Sequence, residues 1–151
     1  MRADSVTSQL VDVVRPVNQR APVSPIPRVL VVEDEYFIAL DIEKVLRGRG
    51  LEVVGPMATC EEALAVASNG MAIQAAILDV NLQGSASYEL ADLLRARGVP
   101  IMFVTGYDRD QLPPRFQGTP YLAKPFATAG IAANLRSMLP NAEALRGDPR
   151  G

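Results

Sequence analysis

The chain has 151 residues, 48% of them apolar and 21% charged, with a formal net charge of −2. This is the make-up of one soluble globular domain, long enough to bury a core without disulfide or metal staples. It carries no histidine, no tryptophan and one cysteine, Cys60, which excludes Ser-His-Asp catalysis, histidine metal ligation, phosphohistidine chemistry on this chain and any internal disulfide. The mild acidity offers no basic footprint for nucleic acid, no apolar run approaches the ~20 residues of a membrane span, and the N-terminus lacks the apolar stretch of a secretion signal. A cytoplasmic protein is expected.

Residues 1–27 read as a flexible N-terminal extension, because Pro16, Pro22, Pro25 and Pro27 punctuate a polar stretch that cannot continue a helix or a central strand. A short apolar patch within it, Val6, Leu10, Val11, Val13 and Val14, has the spacing of a turn or two of helix. From Arg28 the pattern becomes regular. Residues 28–32, 75–78 and 101–104 are continuous apolar runs, suited to parallel strands covered on both faces. Weaker strand signals lie at 51–54 and 119–123. Between them fall helical stripes: Ile38, Ile42 and Val45 ending at Gly48 and Gly50; a capping box at Thr59–Glu62 opening a helix to Asn69-Gly70; Leu90, Leu93 and Leu94 closed by Gly98; and Ile131, Leu135, Met138 and Leu139 stopped by Pro140. Between Asp108 and Gly118 the pattern is poor, and Pro113-Pro114 predict a reduced helix. Alternating β and α elements of these lengths imply a three-layer α/β/α sandwich around a doubly wound, five-stranded parallel sheet.

In open sheets of this kind ligands bind beyond the carboxyl ends of the strands. There the sequence places Glu33-Asp34-Glu35 after the first strand, Asp79 after the third, Thr105 at the end of the fourth and Lys124 at the end of the fifth. Taken singly, each has a plain structural reading: a helix-capping acid, a loop former beside Asn81 and Gly84, a turn, a solvated charge. Together they assemble a chemistry. Magnesium takes oxygen ligands from carboxylates, water and substrate phosphate, which Glu33, Asp34 and Asp79 can supply. Asp79 can then act as a carboxylate nucleophile on a phosphoryl group. The Thr105 hydroxyl and the Lys124 ammonium are suited to the phosphoryl oxygens.

Val29-Leu-Val-Val-Glu-Asp-Glu35, Ile77-Leu-Asp-Val80, Phe103-Val-Thr-Gly106 and Lys124-Pro-Phe126, with equal spacings of 45 residues from Asp34 to Asp79 and from Asp79 to Lys124, together resemble the receiver domain of bacterial response regulators. The resemblance spans residues 28–139 and implies the flavodoxin-like strand order 2-1-3-4-5. It implies that Asp79 accepts phosphate from a sensor histidine kinase or a histidine phosphotransfer protein. It also implies that Mg²⁺ is held by Glu33, Asp34, Asp79 and the backbone carbonyl of Asn81, and that Thr105 and Tyr121 form a switch. The acid pair is Glu-Asp rather than the commoner Asp-Asp. Phe103-Val-Thr-Gly-Tyr107 is similar to the Phe-x-Thr-Gly-Tyr subgroup of single-domain regulators, many alphaproteobacterial, in which the fourth helix is reduced.

Residues 140–151 read as a C-terminal tail with no output domain, so signalling by contact with an unknown protein target is expected, without nucleic acid or membrane. A monomer or a phosphorylation-dependent dimer fits equally. The rival readings are an aspartate-nucleophile phosphatase, which needs a second acid where this chain has Asn81, and a degenerate receiver used as a phosphate-independent interaction module, against which the intact Asp79, Thr105 and Lys124 argue. Tyr107 sits where it can limit water's access to a phosphoryl group. Tyr121 reads equally as a half-buried edge-strand tyrosine. Cys60, near a helix start that can lower a thiol pKa, is better read as a small half-buried side chain.

Overall fold

The computed structural model describes residues 26–140; the apolar patch at Val6–Val14 and the tail beyond Pro140 lie outside them. The apolar runs form β1 (Arg28–Val32), β2 (Glu52–Met57), β3 (Ala75–Leu78), β6 (Ile101–Thr105) and β7 (Tyr121–Ala123), and a small hairpin contributes β4 (Asn81–Leu82) and β5 (Ser85–Ala86). The helices are α1 (Tyr36–Gly48), α2 (Cys60–Ser68), α3 (Tyr88–Ala96) and α4 (Ala129–Met138). The main sheet runs β2-β1-β3-β6-β7, every pair parallel. Counted without the hairpin, this is the order 2-1-3-4-5.

Alternation along each strand divides the core. Val29 and Val31 pack with Ile42 and Leu46 of α1 and with Ile131 and Leu135 of α4 on one face of the sheet. Leu30 and Val32 pack with Ala63 and Ala67 of α2 and with Leu90 and Leu94 of α3 on the other. Both sides of the central strands are therefore sealed, which is why they read as unbroken apolar runs. Thr59 caps α2 as its sequence implies, accepting a hydrogen bond from the Glu62 N–H at 3.2 Å.

Three places differ from the sequence pattern. The stretch between Asp108 and Gly118 holds no α-helix; it forms two single 3₁₀ turns, Arg109–Gln111 and Pro114–Phe116. Pro113 and Pro114 lack the N–H groups a longer ladder needs, and Pro114 opens the second turn at a position where no donor is required. Leu112 and Phe116 alone anchor this stretch in the core, Phe116 meeting Phe103 edge-on at 5.3 Å and stacking on Tyr88 at 5.5 Å between ring centroids. The second difference is the hairpin, which turns through Gln83 and Gly84, both at positive φ. The third is β2, which extends past Val54 to Met57 because a bulge absorbs one extra residue between the pairs Leu30↔Val54 and Val32↔Met57.

That bulge positions the functional end of β1. Gly55 has a φ of 106°, and a Cβ there would lie 2.7 Å from the Val31 carbonyl oxygen, a contact only glycine avoids. The bulge delivers the Met57 carbonyl to the N–H of Glu33 at 2.9 Å, holding the residue that leaves the strand into the cleft. Gly55→Ala is expected to destabilise the fold by about 1–3 kcal/mol through backbone strain and this clash, read as a lower urea midpoint at unchanged slope.

Candidate functional site

Parallel register lines up the strand ends. Val32 pairs with Leu78, so the next residues, Glu33 and Asp79, leave the sheet side by side. Thr105 pairs with Ala123, and the Lys124 N–H donates to the Thr105 carbonyl at 2.8 Å. Asp34, Glu35, Asp79, Asn81, Thr105, Tyr107 and Lys124 line one open cleft of about 690 Å³. The site residues proposed from sequence line this cleft, apart from Glu33, which is buried and bonded to Lys124, and Tyr121, which pairs with Phe103 two residues back from the Thr105–Ala123 pair.

Lys124 is the centre of the arrangement. Its ammonium donates to Asp79 Oδ2 at 2.9 Å, Glu33 Oε2 at 3.1 Å and Glu35 Oε1 at 2.7 Å. An ammonium has three N–H donors, and all three are committed. Glu33 Oε1 lies 2.9 Å from the same nitrogen yet has no hydrogen-bond partner although it is buried. Burial pushes the Glu33 carboxyl up from its ordinary 4.5 to about 7; hydrogen bonds from Lys124 and from the Glu35 N–H oppose this, and the neighbouring Asp79 carboxylate adds to it. For Lys124 burial works downward, but the hydrogen bonds to Glu35, Glu33 and Asp79 outweigh it and raise the ammonium above the usual lysine range.

The rest of the cleft is held by backbone contacts. Asp79 Oδ1 accepts from the Asn81 N–H at 3.2 Å, and its carbonyl accepts from the buried Ser87 hydroxyl at 2.6 Å. Asp34 Oδ2 accepts from the Gln83 N–H at 2.9 Å, fastening the hairpin to the end of β1. Thr105 is buried, and its Oγ1 accepts from the Tyr107 N–H at 3.1 Å. Glu35 occupies the N-cap of α1 but makes no side-chain cap; it turns to Lys124 instead, so the helix-capping reading of this acid does not hold. Sequence reasoning gave Glu35 only a capping role and gave Ser87 and Gln83 none. Glu35 follows the acid pair directly, which is a local signal; the other two contacts depend on the hairpin. Cys60 is half-buried, and its thiol is pushed up by burial, with Glu61 and Glu89 adding, so the helix start does not activate it.

One carboxylate oxygen each from Glu33, Asp34 and Asp79 lie within 4.8 Å of one another. An all-oxygen donor set suits a hard divalent cation such as Mg²⁺. Three carboxylates gathered this closely, with Glu33 and Asp79 buried and one lysine shared between those two, form a donor set that fits a cation there.

The fold and the site together define a doubly wound α/β protein with an acidic cleft at the carboxyl edge of its sheet, in the CheY-like, flavodoxin arrangement. The chain belongs to the response regulator receiver domain family, whose family model matches residues 29–136. It is 30% identical over 139 residues to the phyllosphere-induced regulator PhyR of Methylorubrum extorquens, covering 90% of this chain and 52% of PhyR. The chain spans about half the length of the curated relatives it matches. Among solved structures, SdrG from Sphingomonas melonis Fr1 is 41% identical with a TM-score of 0.68, covering 77% of this chain and 98% of that one. The BeF3-activated conformation of SdrG, from Pseudomonas melonis Fr1, gives 40%, 0.65 and the same coverage. The receiver domain of the sensor histidine kinase PA1611 from Pseudomonas aeruginosa PAO1, with magnesium coordinated in its active-site cleft, is 27% identical with a TM-score of 0.66, covering 78% and 100%. Receiver domains serve two-component signalling, and the matched relatives are named as regulators; the domain is a signalling module rather than a metabolic enzyme. Among the described residues no helix is long and apolar enough to cross a membrane.

The raised Glu33 pKa has a testable sign. A carboxyl that titrates near 7 when folded and near 4.5 when unfolded stabilises the fold fully below pH 4.5 and loses that contribution as pH rises through 7. In chelator, urea midpoints of the wild type should fall between pH 4.5 and 7 relative to Glu33→Gln, which has no proton to lose there; parallel profiles would refute it.

Proposed function

We propose that the protein is a single-domain response regulator of a two-component phosphorelay, its receiver spanning residues 28–139, that takes a phosphoryl group on Asp79 and signals through protein contacts in the cytoplasm. The observation that carries this reading is the convergence of Asp79, Glu33 and Glu35 on the Lys124 ammonium, with Thr105 lining the same cleft. The phosphodonor is a histidine kinase or a histidine phosphotransfer protein. Family membership and the absence of histidine from this chain support an external donor, and the match over 98% of the solved SdrG chain supports the single-domain form.

In this mechanism an Asp79 carboxylate oxygen attacks phosphorus, the P–N bond to the donor imidazole breaks, and the imidazole leaves with the bond pair. Lys124 already hydrogen-bonds Asp79; it needs only to shift from carboxylate to phosphoryl oxygen. The Thr105 hydroxyl gives up its local role and donates to a second phosphoryl oxygen, and Tyr121 follows it inward as the switch. Magnesium bound by Glu33, Asp34, Asp79 and the Asn81 carbonyl would neutralise charge on the transferring group. Ser87 keeps the Asp79 backbone in place. Asn81 offers no carboxyl as a general acid, which favours a lasting phosphoryl-aspartate over turnover.

Intact mass spectrometry after incubation with acetyl phosphate and magnesium should record one added phosphoryl group on the wild type and none on Asp79→Asn; a variant that still gains the mass overturns the assignment. Millimolar magnesium should raise the melting temperature of the wild type, because gathered carboxylates repel one another without a cation and ligand binding stabilises by linkage. Asp34→Ala should lose most of that shift; an equal shift in the variant would move the metal elsewhere.

A further inference from the structure

Lys124 commits its three N–H donors to three carboxylates of unequal standing. The side chains of Glu33 and Asp79 are 1% and 6% exposed, whereas that of Glu35 is 59% exposed and still makes the shortest contact, at 2.7 Å. Glu33 and Asp79 are also tied elsewhere: Glu33 Oε2 accepts from the Glu35 N–H at 3.0 Å, and Asp79 Oδ1 accepts from the Asn81 N–H at 3.2 Å. The Glu35 carboxylate has no second partner among the described residues. It reaches from the N-cap position of α1 to the ammonium alone.

A phosphoryl group on Asp79 brings oxygens that need donors, and among the described residues Lys124 is the only cationic side chain lining the cleft. With every N–H of the ammonium committed, one carboxylate has to give way. Releasing Glu33 or Asp79 would leave a buried charge without its counterion, which is costly. Releasing Glu35 returns an exposed carboxylate to water at small cost. A local partner is also at hand, because the first-turn N–H groups of α1 have no side-chain acceptor and favour a negative charge.

We propose that Glu35 is a positioning residue that holds one N–H of the Lys124 ammonium and competes with the phosphoryl group for it, so that Glu35 is the carboxylate a phosphoryl oxygen displaces. The inference rests on the phosphoacceptor reading given above, and adds to it a residue that sets how tightly an anion is held beside Asp79. Glutamine at this position keeps the length of the side chain but removes its charge, and a neutral amide oxygen is a weaker acceptor for an ammonium. The Glu35 backbone N–H that holds Glu33 does not depend on the side chain.

The test is a BeF3⁻ titration of the full chain in saturating magnesium for the wild type, Glu35→Gln, Glu35→Ala and Glu43→Gln, followed through the side-chain nitrogen signals of isotope-labelled lysine. The chain has two lysines, Lys44 and Lys124, so two signals suffice to follow the ammonium. Glu43 lies on the same helix and pairs with Arg47, so Glu43→Gln removes an equal charge without touching Lys124. Glu35→Gln and Glu35→Ala should bind BeF3⁻ roughly two- to fivefold more tightly than the wild type, the scale of one exposed ion pair. Their Lys124 signal should already be displaced before BeF3⁻ is added, while that of Glu43→Gln should match the wild type. If Glu35→Ala does not fold, Glu35→Gln carries the comparison. Failure of the wild type to bind BeF3⁻ overturns the phosphoacceptor reading and this inference with it. Binding by the wild type with unchanged or weaker binding by Glu35→Gln, an equal gain in Glu43→Gln, or a Lys124 signal that does not respond to Glu35→Gln overturns this inference alone.

Discussion

The arrangement of the cleft depends on one constraint: a single ammonium, Lys124, is shared by three carboxylates that lie 45 to 91 residues away in the chain. Glu33 and Glu35 leave the first strand, Asp79 leaves the third, and Lys124 leaves the last. No local interaction brings these residues together. Parallel pairing does, because β1, β3, β6 and β7 end at one edge and their registers place the first residue beyond each strand into the same cleft. The bulge at Gly55 and the hydrogen bond from Glu33 to Met57 then fix where β1 lets go.

The cost of this cleft is electrostatic. A carboxylate as buried as Glu33, 3% exposed, with one oxygen unpartnered, is poor material for a stable core, and apolar side chains of similar volume would often serve stability as well. Such a group is retained where something else must bind. The sealed apolar layers on both faces of the sheet carry the stability, leaving the edge free to hold like charges at close range. In this division the core tolerates a site that opposes folding, and a bound cation would relieve what Lys124 cannot.

Beside the cleft lies a weakly anchored part of the described chain. Between Gly106 and Gly118 only Leu112 and Phe116 are buried apolar side chains, and the remaining order comes from side chains bonded to carbonyls, chiefly those of Arg109 and Gln117. Contacts of this kind break individually and at low cost, so the segment opens more readily than the helices that flank the sheet. Its two ends, Thr105 and Tyr121, are bridged through Tyr107. A change in the cleft therefore reaches the surface across very few bonds.

Much of this was legible from composition and pattern. Continuous apolar runs identified β1, β3 and β6 because burial on both faces demands them, helical stripes and caps marked α1 to α4, and the strand-end rule pointed to Glu33, Asp34, Asp79, Thr105 and Lys124. These are local or periodic signals, and solvation alone imposes them. What tertiary structure decided was different in kind. The continuation of β2 through Gly55-Pro56 depends on the carbonyl of Val31 leaving room only for glycine. The hairpin at Asn81–Ala86 takes its place from Asp34, 49 residues from its partner Gln83. Glu35 abandons the helix start beside it for an ammonium 89 residues away, and Arg109 chooses an aromatic ring and two carbonyls over solvent. Each outcome is a competition between a local partner and a distant one, and which of them wins is set by distances that exist only once the sheet has formed.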